Sequence, residues 1–190
     1  MKRSDLLGYL NATVDDLLGP STRLLFVGIN PGLRTAATGA HFAHPGNRFY
    51  PALAEAGITA YRIDASQGYQ APDRAHLLER GVGITNIVAR TTAKASDLST
   101  DELRAGAADL EAKVARIQPR VVAVVGISAY RTAFRRPKAA HGLQEESIAD
   151  IPTFVLGNPS GLNAHETVTS LAYSYAQAAR YAGLLDGPPG

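Results

Sequence analysis

The chain has 190 residues, of which 45% are hydrophobic and 19% charged, with a formal net charge of +2. These figures describe one globular domain able to bury about 70% of its unfolded surface, and 19 basic against 17 acidic residues make no polybasic signature. With no cysteine, disulfides, thiolate zinc sites, cysteine nucleophiles and cysteine-held iron–sulfur clusters are excluded.

After a short polar N-terminal stretch, expected to be peripheral to a core over about residues 20–183, Arg23-Leu24-Leu25-Phe26-Val27 reads as a buried strand. Gly28-Ile29-Asn30-Pro31-Gly32 follows it and opens a Gly-, Pro- and Thr-rich loop over 28–46. A loop of that length in a compact domain is usually functional. Asn47 is placed to cap a helix through Phe49, Leu53 and Ala54 that Gly57 ends.

Residues 58–71 read as irregular. Pro72-Asp73 opens a short helix with Leu77 and Leu78, stopped at Gly81, and Val82–Val88 gives a second strand and the loop beyond it. Ser99 with Glu102 is a capping-box match, and Leu103, Ala107, Leu110, Val114 and Ile117 behind it form an amphipathic face that Pro119 terminates. Val121–Gly126 is apolar on both faces, as in a covered parallel strand.

A helix from about Ser128 to Phe134 comes next, then a basic surface loop over 135–150 with weak strand content. Thr153–Leu156 is the last strand; it feeds Asn158-Pro159-Ser160-Gly161-Leu162, and a final helix carries Val168, Leu171, Ala172, Tyr175 and Ala178 on one face. The tail, residues 186–190, is expected to be disordered. Strands alternating with helices give an α/β fold, a three-layer α/β/α sandwich around a central, mainly parallel sheet of four to five strands. Ligands of such sheets bind beyond the carboxyl ends of the strands, where both Asn-Pro loops fall.

Gly28, Gly32 and Gly161 let the backbone approach a ligand, while Pro31 and Pro159 stop the strands. No Gly-x-Ser-x-Gly elbow, dinucleotide fingerprint or Gly-Lys-Ser/Thr loop is present. None of the five histidines makes an HxH or HExxH pair, so neither metal nor cofactor is expected. A cleft of amides, backbone and aromatics suits a nucleobase. Phe42 can stack on a planar ring, and Leu162, at a loop tip, can wedge into a base stack. The plainer alternative places Phe42 and Leu162 in the core and both asparagines in turn caps. Arg34, Arg48, Arg90, Lys94, Arg131, Arg135, Arg136 and Lys138 are candidates for a basic rim.

Four ordered blocks carry a resemblance: Gly28–Leu33, Phe42–Phe49, Gly83–Arg90 and Asn158–Leu162. With them the chain resembles the mismatch-specific uracil-DNA glycosylases, the family that includes thymine-DNA glycosylase. The resemblance implies a monofunctional N-glycosylase that flips uracil, or in some members thymine, out of a G·U or G·T mismatch in double-stranded DNA and leaves an abasic site. It implies that Asn30 holds the attacking water, that Ile29, Gly32 and Asn86 surround the base, and that Phe42 stacks on it. Asn158 takes the place of the base-contacting loop, and Gly161, Leu162 and Asn163 enter the helix to meet the orphan guanine. Thr35, Ala40 and His41 are placed near the 5-position of the base, and Arg131 or His165 at a phosphate. A monomer is expected, cytoplasmic and nucleoid-associated as in bacteria, with no membrane span or signal peptide. Two other readings remain open at this point: a damaged-DNA-binding module without catalysis, and a hydrolase of free nucleosides or nucleotides.

Overall fold

The computed structural model describes residues 3–187. Five strands, β1 Leu24–Gly28, β2 Val82–Asn86, β3 Val121–Val125, β4 Gly142–Leu143 and β5 Thr153–Leu156, form one sheet in the order β2-β1-β3-β5-β4. The first three neighbouring pairs are parallel, and β4 joins β5 antiparallel at the edge. Helices are α1 Arg3–Leu6, α2 Leu33–Thr38, α3 Phe49–Glu55, α4 Ala71–Glu79, α5 Thr100–Ile117, α6 Ile127–Ala133 and α7 Val168–Tyr181. The expected α/β/α sandwich is what the chain forms.

The side-chain alternation of each strand divides the core in two. Leu24, Phe26, Val121, Ala123, Val125, Phe154 and Leu156 face the layer of α3 and α7. Leu25, Val27, Val122, Val124 and Val155 face α5 and α6. Strands covered on both sides favour apolar residues at every position, which is why β1 and β3 are apolar throughout and β5 is apolar after Thr153, whose buried hydroxyl donates to the Ile151 carbonyl at 3.0 Å. In the first layer Phe49 anchors an aromatic cluster, edge-on to Phe26 at 5.1 Å and stacked on Phe42 at 4.1 Å between ring centroids.

Local signals behave as expected at most helix ends. Ser99 and Glu102 close a reciprocal capping box on α5. The Asn47 side chain accepts from the Phe49 N–H at 2.9 Å, and Gly57, at φ 74°, follows α3. Two expectations need correction. The 28–46 loop contains α2, a short helix begun at Gly32 and closed by left-handed Gly39. The N-terminal stretch is not merely peripheral: Leu17 is buried and exchanges both backbone hydrogen bonds with Ile84 of β2. The tail expected to be disordered lies outside the described residues from Pro188 onward. Among the described residues no helix is long and apolar enough to cross a membrane.

The connection after β1 runs over the α3 face, and the one after β3 over the α6 face. Departure of neighbouring chains to opposite faces opens a crevice at the carboxyl ends of β1 and β3. The two Asn-Pro loops, after β1 and β5, flank it.

Candidate active site

A cavity of about 210 Å³ occupies this crevice. Ile29, Asn30 and Gly32 of the first loop, Phe42 beyond α2, Asn86 at the end of β2 and Asn158 after β5 all line it. Residues distant in sequence thus converge because parallel strands deliver their exit loops to one edge. No aspartate or glutamate is among its described lining residues.

Asn30 is held by its nitrogen. Its Nδ2 donates to the Thr92 hydroxyl at 2.7 Å and the Arg90 carbonyl at 2.9 Å. The Thr92 hydroxyl gives its own proton to the Lys94 carbonyl at 2.7 Å, so toward Asn30 it accepts. Both partners require the NH₂ end, which fixes the amide orientation. Asn30 Oδ1 therefore keeps its lone pairs for a ligand. The loop itself is zipped to the 87–92 segment through Ile87 N–H to Gly28 O, Val88 N–H to Ile29 O and Thr92 N–H to Pro31 O.

The floor is a close approach. A Cβ on Gly28 would lie 2.5 Å from Asn86 Oδ1 and 3.4 Å from Phe42 Cζ, so only glycine lets all three meet. Phe42 is half-buried, with one face on Phe49. Its backbone is left-handed, φ 54°, a region an aromatic residue rarely occupies and one that costs about 1–3 kcal/mol. Such strain is typical of residues aimed at a ligand.

Asn158 accepts the Ser160 N–H at Oδ1, 2.9 Å, leaving its NH₂ to face outward. Asn163 is engaged inside its own loop, donating to the Asn158 carbonyl at 3.0 Å and accepting from the His165 N–H at 3.1 Å. Gly161 packs so tightly on the 44–48 turn that a Cβ would lie 2.5 Å from the Gly46 carbonyl oxygen. Leu162 stands 95% exposed at the tip. Gly161 and Leu162 thus project beside the cavity rather than into it, and Asn163 borders a neighbouring cleft with Asn158 and His165.

His41 is buried against the N-terminal segment, its Nε2 paired with the Asp15 carbonyl at 3.0 Å. Burial lowers its pKa, outweighing that carbonyl and the nearby Asp16 carboxylate, and so favours the neutral ring. Thr35 and His41 line the cavity, whereas Ala40 lies in the core behind it.

The basic rim is smaller than charge alone suggests. Arg90 is bound to Glu102 at 2.6 Å and holds that carboxyl down at about 2, helped by the Ser99 N–H. Arg34 donates to the Ser66 carbonyl, Arg131 to that of Ala139, and Arg136 to Tyr130 Oη. Arg48 clamps the 160–163 loop. Lys94 is the basic candidate at the cavity wall, while Arg135 and Lys138 lie around a separate hollow. Sequence reasoning missed Thr92 as a support of Asn30; the bond runs between residues 30 and 92, and no local motif reports such a pairing.

The protein is thus an α/β/α sandwich with an amide- and aromatic-lined crevice at its strand exits. The sequence model of the Uracil DNA glycosylase superfamily matches residues 16–178, and the chain belongs to that superfamily. Its structure is similar to the solution NMR structure of a Methanosarcina acetivorans protein named "putative Uracil DNA glycosylase", with a TM-score of 0.62 and 15% identity over 92% of this chain and 98% of that one. At that identity the likeness shows the fold.

Proposed function

We propose that this protein is a monofunctional DNA-repair glycosylase that takes uracil out of a G·U mismatch in duplex DNA and hydrolyses its N-glycosidic bond, leaving an abasic site. Thymine from a G·T mismatch, or a modified pyrimidine, is a second substrate class for the same pocket. The observation that carries the reading is the single cavity shared by Asn30, Phe42, Asn86 and Asn158, with Leu162 exposed on the adjoining loop.

In this reading Leu162 enters the gap as the nucleotide swings out, and the mismatch lowers the few kcal/mol that unstacking costs. The base stacks on Phe42, and the Asn86 amide pairs with its edge. The glycosidic bond lengthens toward an oxocarbenium-like sugar and a pyrimidine anion. Asn158, its carbonyl end occupied by Ser160, presents NH₂ donors to the developing charge. Asn30 Oδ1 accepts a hydrogen from the water and turns an oxygen lone pair toward the sugar carbon. An amide cannot take the proton, and no carboxylate is among the described residues of the cavity wall. The water therefore attacks late, after most of the bond has broken. Its oxygen bonds to the sugar carbon as its proton passes, directly or through solvent, to the departed pyrimidine anion. The base is thereby released neutral, and turnover is slow.

Strand cleavage after alkaline treatment of G·U, G·T, A·U and single-stranded uracil substrates, at enzyme excess, tests this. Abasic product from G·U faster than from A·U supports the reading; none from G·U refutes it. A free-nucleoside hydrolase has no use for Leu162 and would cleave uridine in place of DNA.

A further inference from the structure

The N-terminal residues up to Asp15 precede the stretch matched by the superfamily, yet they reach the support of Asn30. The Asn11 N–H donates to the Thr91 carbonyl at 3.0 Å, and the Thr91 N–H donates to the Ala12 carbonyl at 2.9 Å. Thr91 is fully buried and stands between Arg90 and Thr92, whose carbonyl and hydroxyl hold the Asn30 amide. Asn11 also offers Oδ1 to Arg90 Nη1 at 3.0 Å. It does so from a left-handed backbone, φ 63°, which asparagine adopts more readily than most residues.

We propose that Asn11 and Ala12 form a clasp whose role is to position Asn30, making Asn11 a positioning residue for the water-holding amide. The proposal rests on the reading of Asn30 given above. Three consecutive residues are fixed from both sides: Thr91 by the clasp, Arg90 and Thr92 by Asn30. Beyond them Ala93, Lys94 and Ala95 are exposed, so on this side the clasp and the Arg90–Glu102 pair together tie the segment to the body of the protein. Opening it removes the backbone hold on Thr91, between the two acceptors that set the amide, and with the segment loosened Asn30 Oδ1 shifts its bearing on the sugar.

Variants of the full-length protein separate the parts of the clasp. Asn11→Pro has no N–H and cannot take a positive φ, so it opens the backbone bridge. Asn11→Gly keeps the bridge and loses the contact to Arg90; Asn11→Asp keeps both. Two readouts are taken: the single-turnover rate and duplex Kd on G·U DNA, and NMR hydrogen exchange of the Thr91 amide with the Asn30 side-chain NH₂ signals. Asn11→Pro is expected to lower the rate by about 10-fold or more, as sub-ångström misplacement does, with Kd within about 2-fold of wild type because no DNA contact is lost. Thr91 exchange should accelerate and the Asn30 NH₂ signals should shift, while Asn11→Asp restores rate and protection.

A wild-type Thr91 amide that exchanges as fast as an exposed loop overturns the clasp. A deprotected Thr91 in Asn11→Pro with an unchanged rate and unchanged Asn30 signals overturns its positioning role. If wild-type protein cleaves none of the duplexes, the glycosylase reading has failed, and the exchange and Asn30 signals alone still decide the clasp.

Discussion

Arg48 holds the loop of Asn163: its Nη1 donates to the Asn163 carbonyl at 2.9 Å and to the Ser160 carbonyl at 3.2 Å. Its backbone N–H reaches the Pro159 carbonyl at 2.9 Å. One residue thus joins the turn that follows Phe42 to the loop that carries Leu162. Arg48→Ala should leave the fold standing, at a cost of about 1–2 kcal/mol for the lost bonds, and lower cleavage of duplex uracil more than of single-stranded uracil. The ratio of the two single-turnover rates checks it; an unchanged ratio would show the loop needs no such tether.

Asn30→Ala removes the amide that, in the proposed reading, orients the water. Its rate on G·U should fall about 100-fold or more, while the melting temperature and duplex affinity stay near wild type. Thr92→Val keeps Asn30 and deletes one of its anchors, so an intermediate loss of about 10-fold is expected. Rate measurements on both, beside duplex Kd, separate loss of chemistry from loss of binding.

Leu162→Ala trims a side chain that is almost wholly exposed, so stability should change by less than about 0.5 kcal/mol. If the leucine replaces the extruded nucleotide in the stack, duplex cleavage should drop and single-stranded cleavage should not. Equal losses on both substrates would remove the wedge role.

Gly28→Ala drives a methyl toward Asn86 Oδ1 and the Phe42 ring. The contact is with side chains, so the fold should persist while the Asn86 amide is displaced. Cleavage should slow by about 10-fold with little change in duplex Kd.

His41 gives a pH signature with a definite sign. Burial places its folded pKa below the ordinary imidazole value of 6.5. Between the two values the unfolded chain binds the proton and the folded one does not, so stability rises with pH in that window. The contribution is complete above 6.5 and is lost as pH falls through the folded value. Denaturant titrations from pH 7.5 downward should show a decline beginning near 6.5, and His41→Gln should flatten it.

How much of this was legible in the sequence depended on range. β1, β3 and β5 announce themselves because strands buried on two faces are almost wholly apolar, Thr153 of β5 being the polar exception. α5 declares its start through Ser99 and Glu102, a signal contained in four residues. α2 escaped notice: six residues from Leu33 to Thr38 are too few to establish a period, and two of them are threonines of poor helix propensity. The role of Leu17 in the core was hidden because it depends on pairing with Ile84, far along the chain.

The candidate site divides in the same way. Asn30, Phe42, Asn86 and Asn158 stand in recognisable blocks, and one cavity collects them. Their supports do not stand in such blocks. Nothing local marks Thr92 as the partner of Asn30, or Glu102 as the partner of Arg90, since neither bond lies within one element. Counting Arg90 toward a DNA-facing rim followed from its charge; its guanidinium is already committed to a helix start.

The left-handed backbone at Phe42 ties that ring's placement to the turn around it. A side chain presented through ordinary torsions can drift among rotamers, whereas this one is aimed by main-chain geometry that survives only while Phe49 and the surrounding turn enforce it. Slackening the turn would return residue 42 to comfortable extended angles and swing the aromatic platform out of the crevice altogether. A looser turn is therefore expected to cost the crevice its aromatic wall before it costs the protein its fold.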